Sequence, residues 1–177
     1  GSYSSLAAAS VAGELHIAGV TADGRLWHTI RHAASWQIFL DVESQAGDRG
    51  TFRTVAAASV ANELHLVGGT NDGRVWHTIR HPANWDAFGD VEAQAGDVVH
   101  LVASAAASVS DKLQVVGAGE GSLWHTIRYT AAWSPFGDVE GLALQGGHFV
   151  TVALATVSNE LHLVGGTSEG RLWHTVC

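Results

Sequence analysis

With 177 residues, 46% of them hydrophobic, the chain is long and apolar enough to bury a core and falls outside the disordered class. Its formal net charge of −8, with Lys112 as the single lysine and no basic stripe, excludes nucleic-acid binding by phosphate neutralisation. No apolar run approaches the roughly 20 residues that span a bilayer, so membrane insertion is not expected, and the lone Cys177 excludes an intrachain disulfide.

The start, Gly1-Ser2 without an initiator Met, reads as a trimmed tag, and no signal peptide is visible. The location is left open by the sequence, with a secreted or cell-surface one compatible.

Along the chain the phrase Leu/Val-Trp-His-Thr recurs at Trp27, Trp76, Trp124 and Trp173, with spacings of 49, 48 and 49 residues. A fixed period of this length marks a repeat architecture. The first copy opens on the Ala-rich run Ala7–Ser10 and passes through the Asp23-Gly24 hairpin signal into the Trp27 segment. The second copy gives four expected strands, 51–60, 63–70, 74–81 and 85–92. Ala61-Asn62, Asn71-Asp72-Gly73 and Pro82-Ala83-Asn84 separate them as turn residues. In the third copy the second turn shortens to Gly119-Glu120-Gly121, and the fourth copy runs to Cys177 without a fourth strand.

Alanine is a poor strand former. Its use in Ala7–Ser10, Ala56–Ser59, Ala105–Ser108 and Ala153–Thr156 suits crowded inner strands converging on an axis. The alternative, a short Ala-rich helix, lacks the 3.6-residue periodicity of a helical repeat. The expected fold is all-β: a β-propeller of four-stranded antiparallel blades of about 48 residues, with blades at 3–43, 52–92, 100–140 and 149–177. Four inner strands fit a four-bladed ring closed by one chain, an eight-bladed ring closed by two, or a piece of a longer array. Four blades need strong twist and a half-ring would leave apolar faces at its two ends, so a homodimer closing the ring is favoured.

Seven tryptophans fall as the pairs Trp27/Trp36, Trp76/Trp85 and Trp124/Trp133, with Trp173 alone. An indole face stacks on the C–H face of a sugar while polar neighbours read hydroxyls. Core packing is the competing role. It is favoured for the third-strand tryptophans: Trp76 lies across the hairpin near Gly68 and Gly69, whose missing side chains would leave room for an indole, and Gly117, Gly165 and Gly166 recur at the same place, with Gly19 once. Stacking is favoured for the fourth-strand ones. His28, His77, His125 and His174 follow the third-strand tryptophans, and His16, His65 and His162 lie on the second strand. They are read as hydrogen-bonded structural histidines or as sugar-hydroxyl partners. His28 and His32, about 13 Å apart on one strand, cannot share a metal, and neither metal nor cofactor is expected. Asp41/Glu43, Asp90/Glu92 and Asp138/Glu140 would lie about 7 Å apart on one strand face, a separation that suits an inverting glycosidase. Their repetition argues instead for protected edge strands with Arg31, Arg80 and Arg128 as partners.

The repeat resembles the bacterial PLL-like β-propeller lectins, related in style to the tachylectin and tectonin propellers. The resemblance is carried by Asp23-Gly-Arg-Leu-Trp27-His28 with Trp36-Gln-Ile-Phe39, by Asp72-Gly-Arg-Val-Trp76-His77 with Trp85-Asp-Ala-Phe88, and by Gly121-Ser-Leu-Trp124-His125 with Trp133-Ser-Pro-Phe136. It implies fucose-type or O-methylated sugars held in shallow pockets between blades, with Trp stacking on the sugar. The expected function is therefore a multivalent, non-enzymatic lectin for surface glycans. The Trp pairs would be its platforms, and Arg31, Arg80, Arg128, His28, His77 and His125 its hydroxyl donors. A structural or protein-interaction propeller is the alternative, and a glycan-active enzyme ranks last.

Overall fold

The structure is a computed structural model that describes residues 2–98, 100–143 and 146–177. Three blades are antiparallel sheets of four strands in sequence order. The first holds β1 (Tyr3–Val11), β2 (Glu14–Thr21), β3 (Leu26–Arg31) and β4 (Leu40–Asp41). The second holds β5 (Phe52–Val60), β6 (Glu63–Thr70), β7 (Val75–Arg80) and β8 (Gly89–Asp90). The third holds β9 (Leu101–Val109), β10 (Lys112–Gly119), β11 (Ser122–Arg128) and β12 (Gly137–Asp138). The last blade has three strands, β13 (Phe149–Val157), β14 (Glu160–Thr167) and β15 (Leu172–Val176). The Ala-rich segments are the innermost strands, and β1 packs on β5, β5 on β9 and β9 on β13. This is the β-propeller arrangement expected from the period.

Tight turns set the registers. Asn62, Asp111 and Asn159 take positive φ at the first hairpin of their blades, and Gly24 and Gly73 sit at +84° and +89° in the second, where only glycine is unstrained. The fourth strand departs from expectation. Residues 85–92 do not form one continuous strand. Trp85 makes an isolated bridge to Arg80, the ladder resumes only at Gly89–Asp90, and the chain then turns into the one-turn helix α2 (Glu92–Ala95). The same happens at α1 (Glu43–Ala46) and α3 (Val139–Ala143). Each fourth strand is two residues long, too short to hold a carboxylate pair on one face.

The core lies between blades. Val20, Leu26 and Val42 of the first blade pack on Phe52, Val55, Trp85 and Phe88 of the second, and the next two junctions repeat the arrangement. Burying side chains of this size contributes about 1.5–3 kcal/mol each. The two ends of the arc lack that cover. Tyr3 is 40% exposed where its counterpart Phe52 is 2% exposed, and Leu172 is 78% exposed where its counterpart Leu26 is 1% exposed.

Candidate functional site: the clefts between blades

The third-strand tryptophans are half-buried. In the ladder Trp76 pairs with Gly68 on one side and Asp90 on the other, and Trp27, Trp124 and Trp173 pair with Gly19, Gly117 and Gly165. The atoms nearest these glycines belong to the inner strand. A Cβ on Gly68 would meet the Phe52 ring at 2.7 Å, and one on Gly165 would meet Phe149 at 2.6 Å, so the inner-strand ring occupies the space. The Arg49 guanidinium lies 4.7 Å over the Trp76 ring. Trp76 and Trp173 pack at the edge of the core clusters, and the Nε1–H groups of Trp76, Trp124 and Trp173 are buried without a partner.

The fourth-strand tryptophans divide by their surroundings. Trp85 and Trp133 are 8% and 9% exposed, each wedged against the preceding blade. Their rings stand edge-on to His28 and His77, with centroids 5.2 and 5.3 Å apart. Burial thus replaces the open stacking face expected for these two. Trp36, on the open face of the first blade, is 54% exposed.

The histidines pair along each blade. His16 Nδ1 and His28 Nε2 are 3.0 Å apart, His65 and His77 likewise 3.0 Å, and His162 and His174 3.1 Å. In the third blade Gln114 Oε1 accepts from His125 Nε2 at 2.9 Å. Burial pushes His28 down to about 3 and His65 to about 4, and takes His77 well below the ordinary histidine range. One nitrogen of His28 and of His77 is therefore already engaged by a neighbouring imidazole. The carboxylates are also taken: Arg25 pairs with Asp41 and, at 3.5 Å, with Glu43, while Arg74 pairs with Asp90 and, at 3.6 Å, with Glu92. Glu43 is buried and accepts the Leu26 N–H at 3.0 Å. Arg25 and Arg74, rather than Arg31, Arg80 and Arg128, are the partners of these acids.

That leaves Arg80 and Arg128 with another role. Each is half-buried at the junction with the preceding blade, and desolvation lowers both from the ordinary arginine value. Arg80 faces Glu14 and His16 across the junction; Arg128 faces Asp86, Glu63 and His65. Among the described residues neither guanidinium has a carboxylate within ion-pair distance, the pairs being those of Arg25, His32, Arg74 and His81. Clefts open beside both. One of about 320 Å³ is lined by Glu14, His16, His32, Gln37, Arg80 and His81. Another of about 160 Å³ is lined by His77, Asp86, Gln94, Arg128 and Trp133. Arg80 donates from Nη1 to the His81 carbonyl oxygen at 2.5 Å and lies over the Trp85 ring at 5.9 Å. A half-buried guanidinium carries five N–H donors, so those left over suit hydrogen bonding to sugar hydroxyls, while carboxylate and imidazole accept from others. The third junction differs: Cys177 stands where the arginine would be, Lys112 replaces the glutamate and Gln114 the histidine. The recurring Glu14-Leu-His16, Glu63-Leu-His65 and Glu160-Leu-His162 was the overlooked signal for the acidic side of the cleft. Among the described residues no three His, Cys, Asp or Glu side chains converge as a metal site.

Blades of this form around a shared axis define a β-propeller, and the solved structures similar to the chain are propellers. The lectin BP39L from Burkholderia pseudomallei is 16% identical, with a TM-score of 0.77 over 98% of this chain and 52% of that one. The SapL1 lectin in complex with α-methyl fucoside is 11% identical at 0.75, over 98% and 58%. The Aleuria aurantia lectin in complex with Fucα1-6GlcNAc is 15% identical at 0.71, over 99% and 59%. An α-L-arabinofuranosidase from Podospora anserina matches at 0.64 with 12% identity, over 98% and 64%. The chain thus spans little more than half the length of these lectins. No family model matches the sequence, and no curated protein matches it.

Proposed function

We propose that the chain is a non-enzymatic, multivalent carbohydrate-binding lectin of the PLL-like kind, taking fucose-type or O-methylated sugars in the clefts beside Arg80 and Arg128. The observation that carries this is the pair of half-buried guanidiniums facing acceptors across a blade junction with no ion pair of their own. The likeness in fold to lectins whose structures hold fucosides supports it. In this reading Arg80 and Arg128 read hydroxyls, Glu14 and Asp86 accept from them, and Trp133 forms part of the cleft wall. Repeating a weak site on a rigid arc gives avidity for surface glycans, and a homodimer doubles the number of sites. Catalysis is assigned to none of them, since Asp41/Glu43 and Asp90/Glu92 are tied to Arg25 and Arg74, and Glu140 accepts the Leu123 N–H at 3.1 Å.

The test is a glycan array containing fucosylated and O-methylated sugars, followed by calorimetric titration of the strongest hit. Arg80→Ala and Arg128→Ala are each expected to remove one site while the fold survives. A blank array with an intact fold would overturn the lectin reading. It would favour a second one, a purely structural propeller, for which the burial of Trp85 and Trp133 and the pairing of the histidines speak.

A further inference from the structure

The ends of the arc display the two halves of a junction that the chain builds internally. On the first blade Tyr3, Leu6 and Phe39 lie open, while their counterparts Phe52, Val55 and Phe88 are buried against the preceding blade. On the last blade Ala155, Val164 and Leu172 lie open, while their counterparts Ala9, Ala18 and Leu26 pack against the following blade. Polar groups divide the same way. Arg31 and Trp36, counterparts of Arg80 and Trp85, are exposed at the first end. Glu160, His162 and His174, counterparts of Glu14, His16 and His28, belong to the other.

We propose that a second copy of the chain docks its first-blade face onto this fourth-blade face, and that the contact builds a further sugar cleft from Arg31 and Trp36 of one copy and Glu160, His162 and His174 of the partner subunit. The cleft rests on the lectin reading above; the docking does not. Head-to-tail contact is the arrangement that sets each side chain against the type it meets inside the chain: aromatic rings against Leu172 and Val164, Arg31 against Glu160, and Trp36 against His174, as Trp85 meets His28. Contact between two first-blade faces would set Arg31 against Arg31 and provide no carboxylate counterpart. Neither half is a site alone, because the guanidinium and its acceptors lie on opposite ends of the arc. Two copies joined by two such contacts close a ring and gain two composite clefts.

The experiment combines mass and stoichiometry. Wild-type chain at micromolar concentration is expected to sediment at twice the chain mass; a monomer would overturn the docking and assign the open faces to further blades. Leu6→Arg blocks one face and Leu172→Arg the other, and both side chains are exposed, so the fold is untouched. Each variant alone is expected to be monomeric, and an equimolar mixture to form a two-chain species through the one intact contact. A single variant that still dimerises would overturn head-to-tail docking. In calorimetry with methyl α-L-fucoside, Arg31→Ala is expected to lower the count from three sites per chain to two with the dimer intact. An unchanged count would overturn the composite cleft alone. A wild type that binds no sugar would overturn the cleft together with the lectin reading, while the mass still reports on docking.

Discussion

Trp36 and Trp85 occupy the same place in successive repeats and live in opposite surroundings. Trp85 is closed between two blades with its edge on His28, whereas Trp36 lies open at the end of the arc. Phe52 and Tyr3, and Leu26 and Leu172, repeat the contrast. A repeat therefore does not fix what a residue does; the blade next to it does. Inside the arc, the neighbouring blade turns an aromatic into core and an arginine into half of a cleft. At the ends the same residues form an apolar surface with an unmet cation.

The largest expected effect separates these copies. Trp85→Ala should cost about 3–5 kcal/mol in urea unfolding, as large core truncations do. Trp36→Ala should leave the stability of the monomeric Leu172→Arg background within about 0.5 kcal/mol, as surface substitutions do. Equal losses would mean that the open end is not open. A smaller effect comes from adding volume. Gly68→Ala drives a methyl into the Phe52 ring and within 3.0 Å of the Thr54 carbonyl oxygen, at a cost of about 1–3 kcal/mol. Gly19→Ala meets only the half-exposed Tyr3 ring and the exposed Leu6 side chain, which are free to swing aside, so its cost in thermal melts should be clearly less.

The effect of pH is the smallest near neutrality and grows only on acidification. Burial holds His65 at about 4 and His28 at about 3, against an ordinary 6.5, so both are neutral in the fold. The unfolded chain binds those protons more readily. Stability is therefore full above about pH 6.5 and is lost as pH falls toward the folded values, on the order of 1 kcal/mol per pH unit for each such histidine. His65→Gln, which copies the pairing of Gln114 with His125, should flatten the acid limb of the stability curve. An unchanged limb would mean that His65 is not the titrating group.

The blade was legible because its signals are local: the period of the Trp-His phrase, alternation over short runs and glycines at positive-φ turns. The helices α1 to α3 were not, because four or five residues are too few for a helical period to register, and Asp-Val-Glu reads equally as strand. The role of Arg80 was hidden for another reason. Its acceptors Glu14 and His16 lie more than sixty residues earlier in the sequence and meet it only when one sheet stacks on the next. Of the carboxylates attributed to Arg31, Arg80 and Arg128, Asp41/Glu43 went to Arg25 and Asp90/Glu92 to Arg74, while in the third blade Ser122 stands at that place and Asp138 and Glu140 have no arginine partner among the described residues. Register within a blade decided that, and strand spacing alone did not contain it.

The central claim, that the covered junctions are sugar sites, is tested most directly by a crystal structure of the chain grown with methyl α-L-fucoside. Sugar density beside Arg80, facing Glu14, and beside Arg128, facing Asp86, is the expected result. Density confined to the outer surface of the blades, with both clefts holding only water, would contradict it.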